Sequence, residues 1–183
     1  MKKRLLIIED ELSVAKQLKW GLGKEYDITI ADDVKQAKKF LASGSFPVAT
    51  MDLGLPPHPD TPVQGFKLLE ELPSLAPHTK VIVITGNAEE ENAVRAIGLG
   101  AADFCAKPID LKILNIILSR TFKISQLEET NRQLRRQSLR GESLCGMLGV
   151  SPVMEEVFER LQHAGMTAYP VLITGSHRRL QRP

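Results

Sequence analysis

Three acidic side chains follow two apolar segments that have the composition of buried strands. Glu9 and Asp10 come directly after residues 5–8, and Asp52 comes directly after residues 48–51. If these segments are neighbouring parallel strands, the three carboxylates meet at the carboxyl edge of one sheet, where open α/β sheets bind their ligands. Clustered carboxylates repel one another unless protons or a cation compensate their charge. The pattern therefore predicts a site for a hard divalent metal ion.

A hydroxyl and an ammonium group end two further apolar segments. Thr85 closes the run that begins at Val81, and Lys107 follows the segment 102–105. On the same sheet edge as the acids, these groups would complete a site that handles phosphoryl groups. A metal ion and the lysine would neutralise charge, the hydroxyl would donate a hydrogen bond, and an aspartate would be the nucleophile. A single strand-end aspartate often caps a turn or a helix, so the prediction rests on the whole set.

Two hydrophobic patterns alternate over the first 120 residues. Short apolar runs indicate strands, and apolar residues three and four positions apart indicate helices. This alternation predicts an α/β fold with a doubly wound, five-stranded parallel sheet. Because runs such as 81–84 are apolar throughout, we expect helices on both faces of the sheet. The predicted strands are 5–8, 27–31, 48–51, 81–84 and 102–105, and the predicted helices are 12–22, 34–41, 66–72, 89–99 and a segment from Leu111 onward.

As a set, the strand-end residues resemble the receiver domain of two-component response regulators. The resemblance covers residues 4 to about 121, and it implies a flavodoxin-like receiver domain over residues 1–121. One departure is Glu9, which stands where the family more often has aspartate. The residues that match the family in order and spacing are Glu9, Asp10, Asp52, Pro56 four residues later, Thr85, Lys107 and Pro108.

The resemblance also implies a role for each of these residues. Asp52 would accept a phosphoryl group from a cognate histidine kinase, and Thr85 and Lys107 would contact the phosphoryl oxygens. Phe104 falls at the family's switch aromatic position, where a phenylalanine would otherwise be an ordinary core residue. The family has a cis peptide bond before the position of Pro108, although most X-Pro bonds are trans. The implied Mg²⁺ ligands are Glu9, Asp10, Asp52 and the backbone carbonyl of Gly54.

Apolar residues continue at seven-residue spacing after residue 113. Two interleaved series have the offsets of coiled-coil a and d positions, and an asparagine at one a position fixes register and a two-stranded state. We therefore predict an extended C-terminal helix with a coiled-coil linker at 122–140, and a homodimer formed through the receiver domain and this helix. A single frayed helix is the alternative, since Arg120 and Ser138 weaken the pattern. The series are Ile113, Arg120, Leu127 and Leu134, and Ile117, Ile124, Asn131 and Ser138.

Residues 141–183 differ in composition from the preceding part of the chain. The segments 146–154 and 170–175 resemble the start of the AAA+ ATPase domain of nitrogen-regulation-type activators, which work with sigma-54 RNA polymerase. That family continues into a P-loop, but residues 175–181 lack its second glycine and its lysine. We therefore expect a truncated ATPase domain without enzyme activity, and contacts with DNA and polymerase only through C-terminal domains absent from the sequence. Whether the natural gene product is this short stays open.

Two further observations concern the subfamily and the compartment. Segments 52–57 and 75–87 resemble the regulators associated with PEP-CTERM protein sorting. The two cysteines are too few for a disulfide framework, which indicates a reducing cytoplasm. No stretch approaches the ~20 apolar residues needed to span a membrane, so we expect no membrane association.

Two other functions fit part of the pattern. A magnesium-dependent phosphatase of the haloacid dehalogenase kind also uses a strand-end aspartate nucleophile. That family needs a second aspartate two residues later as general acid, and Gly54 stands there instead. A receiver domain that is never phosphorylated and serves only for docking is the second alternative.

Overall fold

The computed structural model describes residues 2–165, apart from 45, 58, 60, 87–89, 142, 145, 146, 149 and 150. The five strands of the first part of the chain are β1 (Lys3–Ile8), β2 (Tyr26–Ala31), β3 (Val48–Asp52), β4 (Lys80–Gly86) and β5 (Asp103–Lys107). They form one parallel sheet in the order β2-β1-β3-β4-β5. The predicted five-stranded, doubly wound fold is therefore confirmed.

Helices connect successive strands and then extend the chain. They are α1 (Leu12–Leu22), α2 (Val34–Ala42), α3 (Val63–Leu75), α4 (Glu90–Gly98) and α5 (Leu111–Gly141), followed by β6 (Ser143–Leu144), β7 (Met147–Leu148) and α6 (Pro152–Gly165). The chain divides into two compact units, Met1–Thr130 and Asn131–Pro183. The predicted boundaries at residues 121 and 140 stay predictions. The segment 170–175 and the residues compared with a P-loop lie outside the described residues.

The sheet is covered on both faces, because alternate side chains of each strand point to opposite sides. On one face, Leu6 and Met51 pack with residues of α2, α3 and α4. On the other face, Leu5 and Val48 pack with residues of α1 and α5. Leu12 shares the helical spacing of the buried residues of α1 but is 59% exposed. None of the described helices has the length and apolarity to cross a membrane.

Helix α5 is attached to the sheet by apolar and charged contacts. Its residues Leu114, Leu118 and Phe122 are buried. Arg120 forms an ion pair with Asp103 at the start of β5. About two turns of helix further on, Glu128 Oε1 lies 2.8 Å from Lys80 Nζ at the start of β4. The first half of α5 is therefore part of the domain that contains the sheet.

A buried hydroxyl in β3 provides a test of the packing. Thr50 is fully buried, and its Oγ1 has no hydrogen-bond partner among the described residues. A buried polar atom without a partner costs free energy, so Thr50→Val should raise the free energy of unfolding by about 1 kcal/mol. The control is Thr79→Val. The Thr79 hydroxyl donates to the Phe46 carbonyl oxygen at 2.8 Å, so its removal should lower the free energy of unfolding by about 1 kcal/mol.

Urea denaturation of both variants measures the difference. Equal losses of stability in the two variants would mean that the Thr50 hydroxyl does have a partner in solution.

Candidate functional site

The three carboxylates predicted to cluster do meet at one edge of the sheet. Glu9 and Asp10 follow β1, and Asp52 ends β3. These two strands are neighbours, with Ile8 paired to Met51. One carboxylate oxygen from each acid lies within 4.8 Å of those of the other two. The geometry is that of a set of hard oxygen ligands brought together by two adjacent strand ends.

Glu9 is the least exposed of the three acids. Its side chain is 1% exposed, and neither carboxylate oxygen has a hydrogen-bond partner among the described residues. Burial, with a further contribution from the charge of Asp52 that Lys107 partly opposes, raises the pKa of Glu9 to about 7. A buried carboxylate without a partner is costly unless a proton or a cation compensates it. The all-oxygen ligand set therefore fits Mg²⁺, which prefers carboxylate and carbonyl oxygen.

Lys107, at the end of β5, reaches across to the acids. Its Nζ donates to Asp52 Oδ2 at 2.6 Å and lies 3.9 Å from Glu9 Oε2. Burial alone would lower the pKa of Lys107, but the hydrogen bond and charge of Asp52, with the charge of Glu9, outweigh it and the pKa is raised. The lysine therefore stays charged. The peptide bond between Lys107 and Pro108 is cis.

Thr85 lies on β4, the neighbour of the strand that carries Asp52, and Phe104 lies on β5, one strand further. Thr85 is buried near the end of β4. The next residue, Gly86, pairs with Lys107 of β5, so Thr85 lies one residue before the position opposite the lysine. Phe104 lies on β5 and is 44% exposed. Phe104 is therefore not an ordinary core residue, which was the alternative to a role as switch aromatic. Its function as a switch residue stays a prediction.

The segment after Asp52 folds back onto the strand end. The Gly54 amide donates to Asp52 Oδ1 at 3.3 Å. A Cβ atom on Gly54 would overlap the carbonyl oxygen of Pro59, so only glycine fits in this position. Gly54 therefore lies close to the Asp52 carboxylate, and the role of its backbone carbonyl as a Mg²⁺ ligand stays a prediction.

A cavity of about 230 Å³ lies next to Asp52 and Lys107. Part of its wall comes from residues that the sequence did not mark as functional. Their proximity depends on how the loop after β3 folds, and only its high proline content gave a signal. The lining residues are Asp52, Leu53, Gly54, Pro59, Thr61, Pro62, Gly86 and Lys107.

The sequence pattern of the response regulator receiver domain matches residues 5–119. The chain belongs to the response regulator receiver family. The match covers the sheet, all five strand-end positions of the candidate site and the first part of α5. Receiver domains are regulatory parts of two-component systems, so the domain is a regulator rather than an enzyme.

Individual relatives agree with this membership of the receiver family. The chain is 29% identical over 173 residues to the regulatory protein AtoC of Escherichia coli, covering 94% of this chain and 36% of that protein. It is 27% identical over 176 residues to the alginate biosynthesis transcriptional regulatory protein AlgB of Pseudomonas putida, covering 94% and 37%. The chain therefore spans little more than a third of the length of these two relatives.

A solved receiver structure has the same fold. A CheY-like response regulator receiver domain protein from Methanospirillum hungatei is 27% identical, with a TM-score of 0.62 over 70% of this chain and 99% of that one.

Proposed function

We propose that this receiver domain accepts a phosphoryl group on Asp52 from a histidine kinase. The hydrogen bond between Lys107 Nζ and Asp52 Oδ2 carries the proposal, because it joins a charged lysine to the proposed nucleophile beside two further acids. Glu9, Asp10, Asp52 and the carbonyl of Gly54 would hold Mg²⁺. The bound ion would supply positive charge next to the phosphoryl oxygens.

The chemistry of the proposed transfer follows from the positions of three side chains. A carboxylate oxygen of Asp52 forms the new bond to phosphorus while the bond to the donor nitrogen breaks. Lys107 neutralises charge on the phosphoryl oxygens, and the Thr85 hydroxyl donates a hydrogen bond to one of them. Thr85 lies on β4, the neighbour of β3, and Lys107 lies on β5, the neighbour of β4, so both follow the same edge of the sheet as Asp52.

Phosphorylation would then change the surface formed by α4, β5 and α5. Thr85 and Lys107 lie on β4 and β5, so their movement toward the phosphoryl group displaces the ends of both strands. Phe104, the second residue of β5, is partly exposed, so it has room to change position as the strand moves. The proposal for Phe104 rests on this position and on the family resemblance.

We further propose that a second copy pairs with α5. Ile124, Leu127 and Leu134 are exposed in the single chain, and Leu127 is 62% exposed. Two earlier heptad positions are used within the chain, because Arg120 pairs with Asp103 and Ile117 packs against the domain's own core, whereas Ile113 is 53% exposed. The dimer contact therefore begins at Ile124 and continues through Leu127, Asn131 and Leu134.

We extend the proposal to the control of sigma-54-dependent transcription. It is supported by the resemblance of residues 146–154 to sigma-54 activators and by the transcriptional regulatory proteins among the relatives. Contacts with DNA and RNA polymerase would belong to parts of those relatives that this chain does not span. A cytoplasmic location and membership of the PEP-CTERM-associated subfamily stay predictions.

Incubation with acetyl phosphate and Mg²⁺ tests the central proposal. Intact-mass measurement should show the addition of one phosphoryl group, and beryllofluoride should bind in competition with it. Turnover of simple phosphate esters would favour the phosphatase instead. A chain that neither gains mass nor binds beryllofluoride would be a docking module.

Analytical ultracentrifugation with and without beryllofluoride tests the proposed link to the dimer. We expect the dimer fraction to change on activation, and Leu127→Ser should weaken dimer formation. The control is Trp20→Ser, which alters an exposed residue of α1. An unchanged dimer equilibrium would show that phosphorylation and helix pairing are not coupled.

A further inference from the structure

The peptide unit between Leu53 and Gly54 takes part in three hydrogen bonds. Its carbonyl oxygen, that of Leu53, accepts from the Leu55 amide at 3.1 Å and from the Gly65 amide at 3.3 Å. Its amide, that of Gly54, donates to Asp52 Oδ1 at 3.3 Å. The bond from Leu55 closes a three-residue turn around Gly54. One peptide unit therefore connects the strand-end acid, the turn that follows it and helix α3.

Gly65 makes this contact from the first turn of α3. The first N–H groups of a helix have no partner within the helix and need one elsewhere. Pro62, the residue before the helix, contributes no side-chain hydrogen bond to them. The Leu53 carbonyl oxygen accepts from one of these groups, the Gly65 amide. The beginning of α3 is therefore anchored to the residue that follows Asp52.

The close approach of α3 to Leu53 requires a residue without a side chain at position 65. A Cβ atom on the buried Gly65 would lie 2.6 Å from the Leu53 Cα atom and 2.8 Å from its carbonyl oxygen. Both atoms belong to the backbone, so a change of side-chain rotamer cannot relieve the overlap. A third close atom, Leu53 Cδ2 at 2.8 Å, belongs to the side chain. Any larger residue must therefore move α3 away or turn the peptide unit between Leu53 and Gly54.

We propose that Gly65 is a positioning residue for the Mg²⁺ site of this domain. By admitting α3 to the backbone of Leu53, Gly65 fixes the peptide unit that joins two of the proposed ligands, Asp52 and Gly54. The inference rests on the proposed function, which assigns Mg²⁺ to these residues. Because Mg²⁺ demands near-ideal octahedral geometry, a small displacement of this peptide unit weakens its binding. Gly65 supplies no ligand itself and acts through Leu53.

The affinity for Mg²⁺, measured without any phosphoryl donor, tests this role. Isothermal titration calorimetry of the full chain should give Gly65→Ala a dissociation constant for Mg²⁺ about tenfold above that of the parent. The matched control is Gly98→Ala at the end of α4, where a Cβ atom would meet nothing within 4 Å. The control should change the dissociation constant by less than about twofold.

Two variants of Leu53 separate positioning from a general loss of stability. Leu53→Ala removes a buried side chain, so it should lower the midpoint of urea denaturation. Its backbone contacts remain, so its dissociation constant for Mg²⁺ should stay within about twofold of that of the parent. Combining Leu53→Ala with Gly65→Ala removes the close side-chain atom but leaves both backbone overlaps. The double variant should therefore not recover the affinity that Gly65→Ala loses.

The amide resonance of Gly65 tests the same contact in the unaltered chain, whether or not Gly65→Ala folds. During titration with Mg²⁺, the amide resonances of Gly54 and Gly65 should shift together, while that of Gly98 stays nearly in place. A Gly65 resonance that stays fixed while the Gly54 resonance shifts would overturn the inference.

Two calorimetric results would also overturn the inference and leave the proposed Mg²⁺ site intact. One is a dissociation constant in Gly65→Ala equal to that of the parent. The other is recovered affinity in the double variant, because the side chain of Leu53 rather than its backbone would then be the cause. A parent chain that binds no Mg²⁺ would instead show that the metal site of the proposed function is wrong, and the inference with it.

Discussion

Asp52→Asn should reduce phosphoryl incorporation from acetyl phosphate by about a hundredfold or more, because a neutral amide replaces the nucleophilic carboxylate. The substitution keeps the size of the side chain, so it tests the charge and the reactive oxygen rather than the packing. It also replaces the charged acceptor that Lys107 Nζ contacts at 2.6 Å with a neutral amide. Intact-mass measurement after a fixed incubation with Mg²⁺ gives the incorporated fraction directly.

The matched control is Asp27→Asn. Asp27 is an exposed acid on β2, the edge strand, and it takes no part in the acidic cluster. This variant should be phosphorylated to the same extent as the parent chain. Incorporation that persists in Asp52→Asn would assign the reaction to another side chain, and mapping the modified peptide would identify it.

The stability of the metal-free domain should fall as pH rises, because Glu9 binds its proton more tightly in the folded chain. Its pKa is raised from 4.5 to about 7 by burial and by the charge of Asp52. Below pH 4.5 Glu9 is protonated in both the folded and the unfolded chain, so its ionisation does not lower the free energy of unfolding there. Between these two values the unfolded chain loses its proton first, and the free energy of unfolding falls by about 3 kcal/mol in total.

The Glu9→Gln variant isolates this contribution, since the amide does not titrate. Chemical denaturation of both proteins between about pH 4 and pH 8 should give a difference that changes through this window and then stays level. Addition of Mg²⁺ should stabilise the parent chain more at pH 8 than at pH 5, because the ion binds the carboxylate form. Parallel curves for the two proteins would show that the pKa of Glu9 is not raised.

The strands and the site acids could be predicted because both follow from local patterns. Each apolar run long enough to form a buried strand ends where polar residues begin. Asp52 and Lys107 lie at two of these strand ends. The register of parallel strands then brings distant residues together without further information. The positions of Asp10 and Thr85 follow from the same rule.

Other features depend on contacts that no local pattern records. The seven-residue series includes Arg120, but the structure pairs Arg120 with Asp103 in the same chain. Periodicity identifies a face of a helix and does not say whether its own domain or a second copy covers that face. Likewise, the approach of Pro59 to Gly54 depends on the path of a loop. Leu12 is exposed because the buried face of α1 begins only at Ala15, about one turn after it.

The single contact between Lys107 and Asp52 has a consequence for the kind of signal that the domain can send. Three carboxylates and one ammonium give the deprotonated site a net charge of about −2, which one divalent ion balances. A phosphoryl group of about −2 replaces one carboxylate charge, so modification changes this balance by only about one unit. Long-range electrostatics therefore change little between the two states. If Asp52 is phosphorylated as proposed, we expect the signal to depend on a new position of the Lys107 ammonium group rather than on a large change of charge.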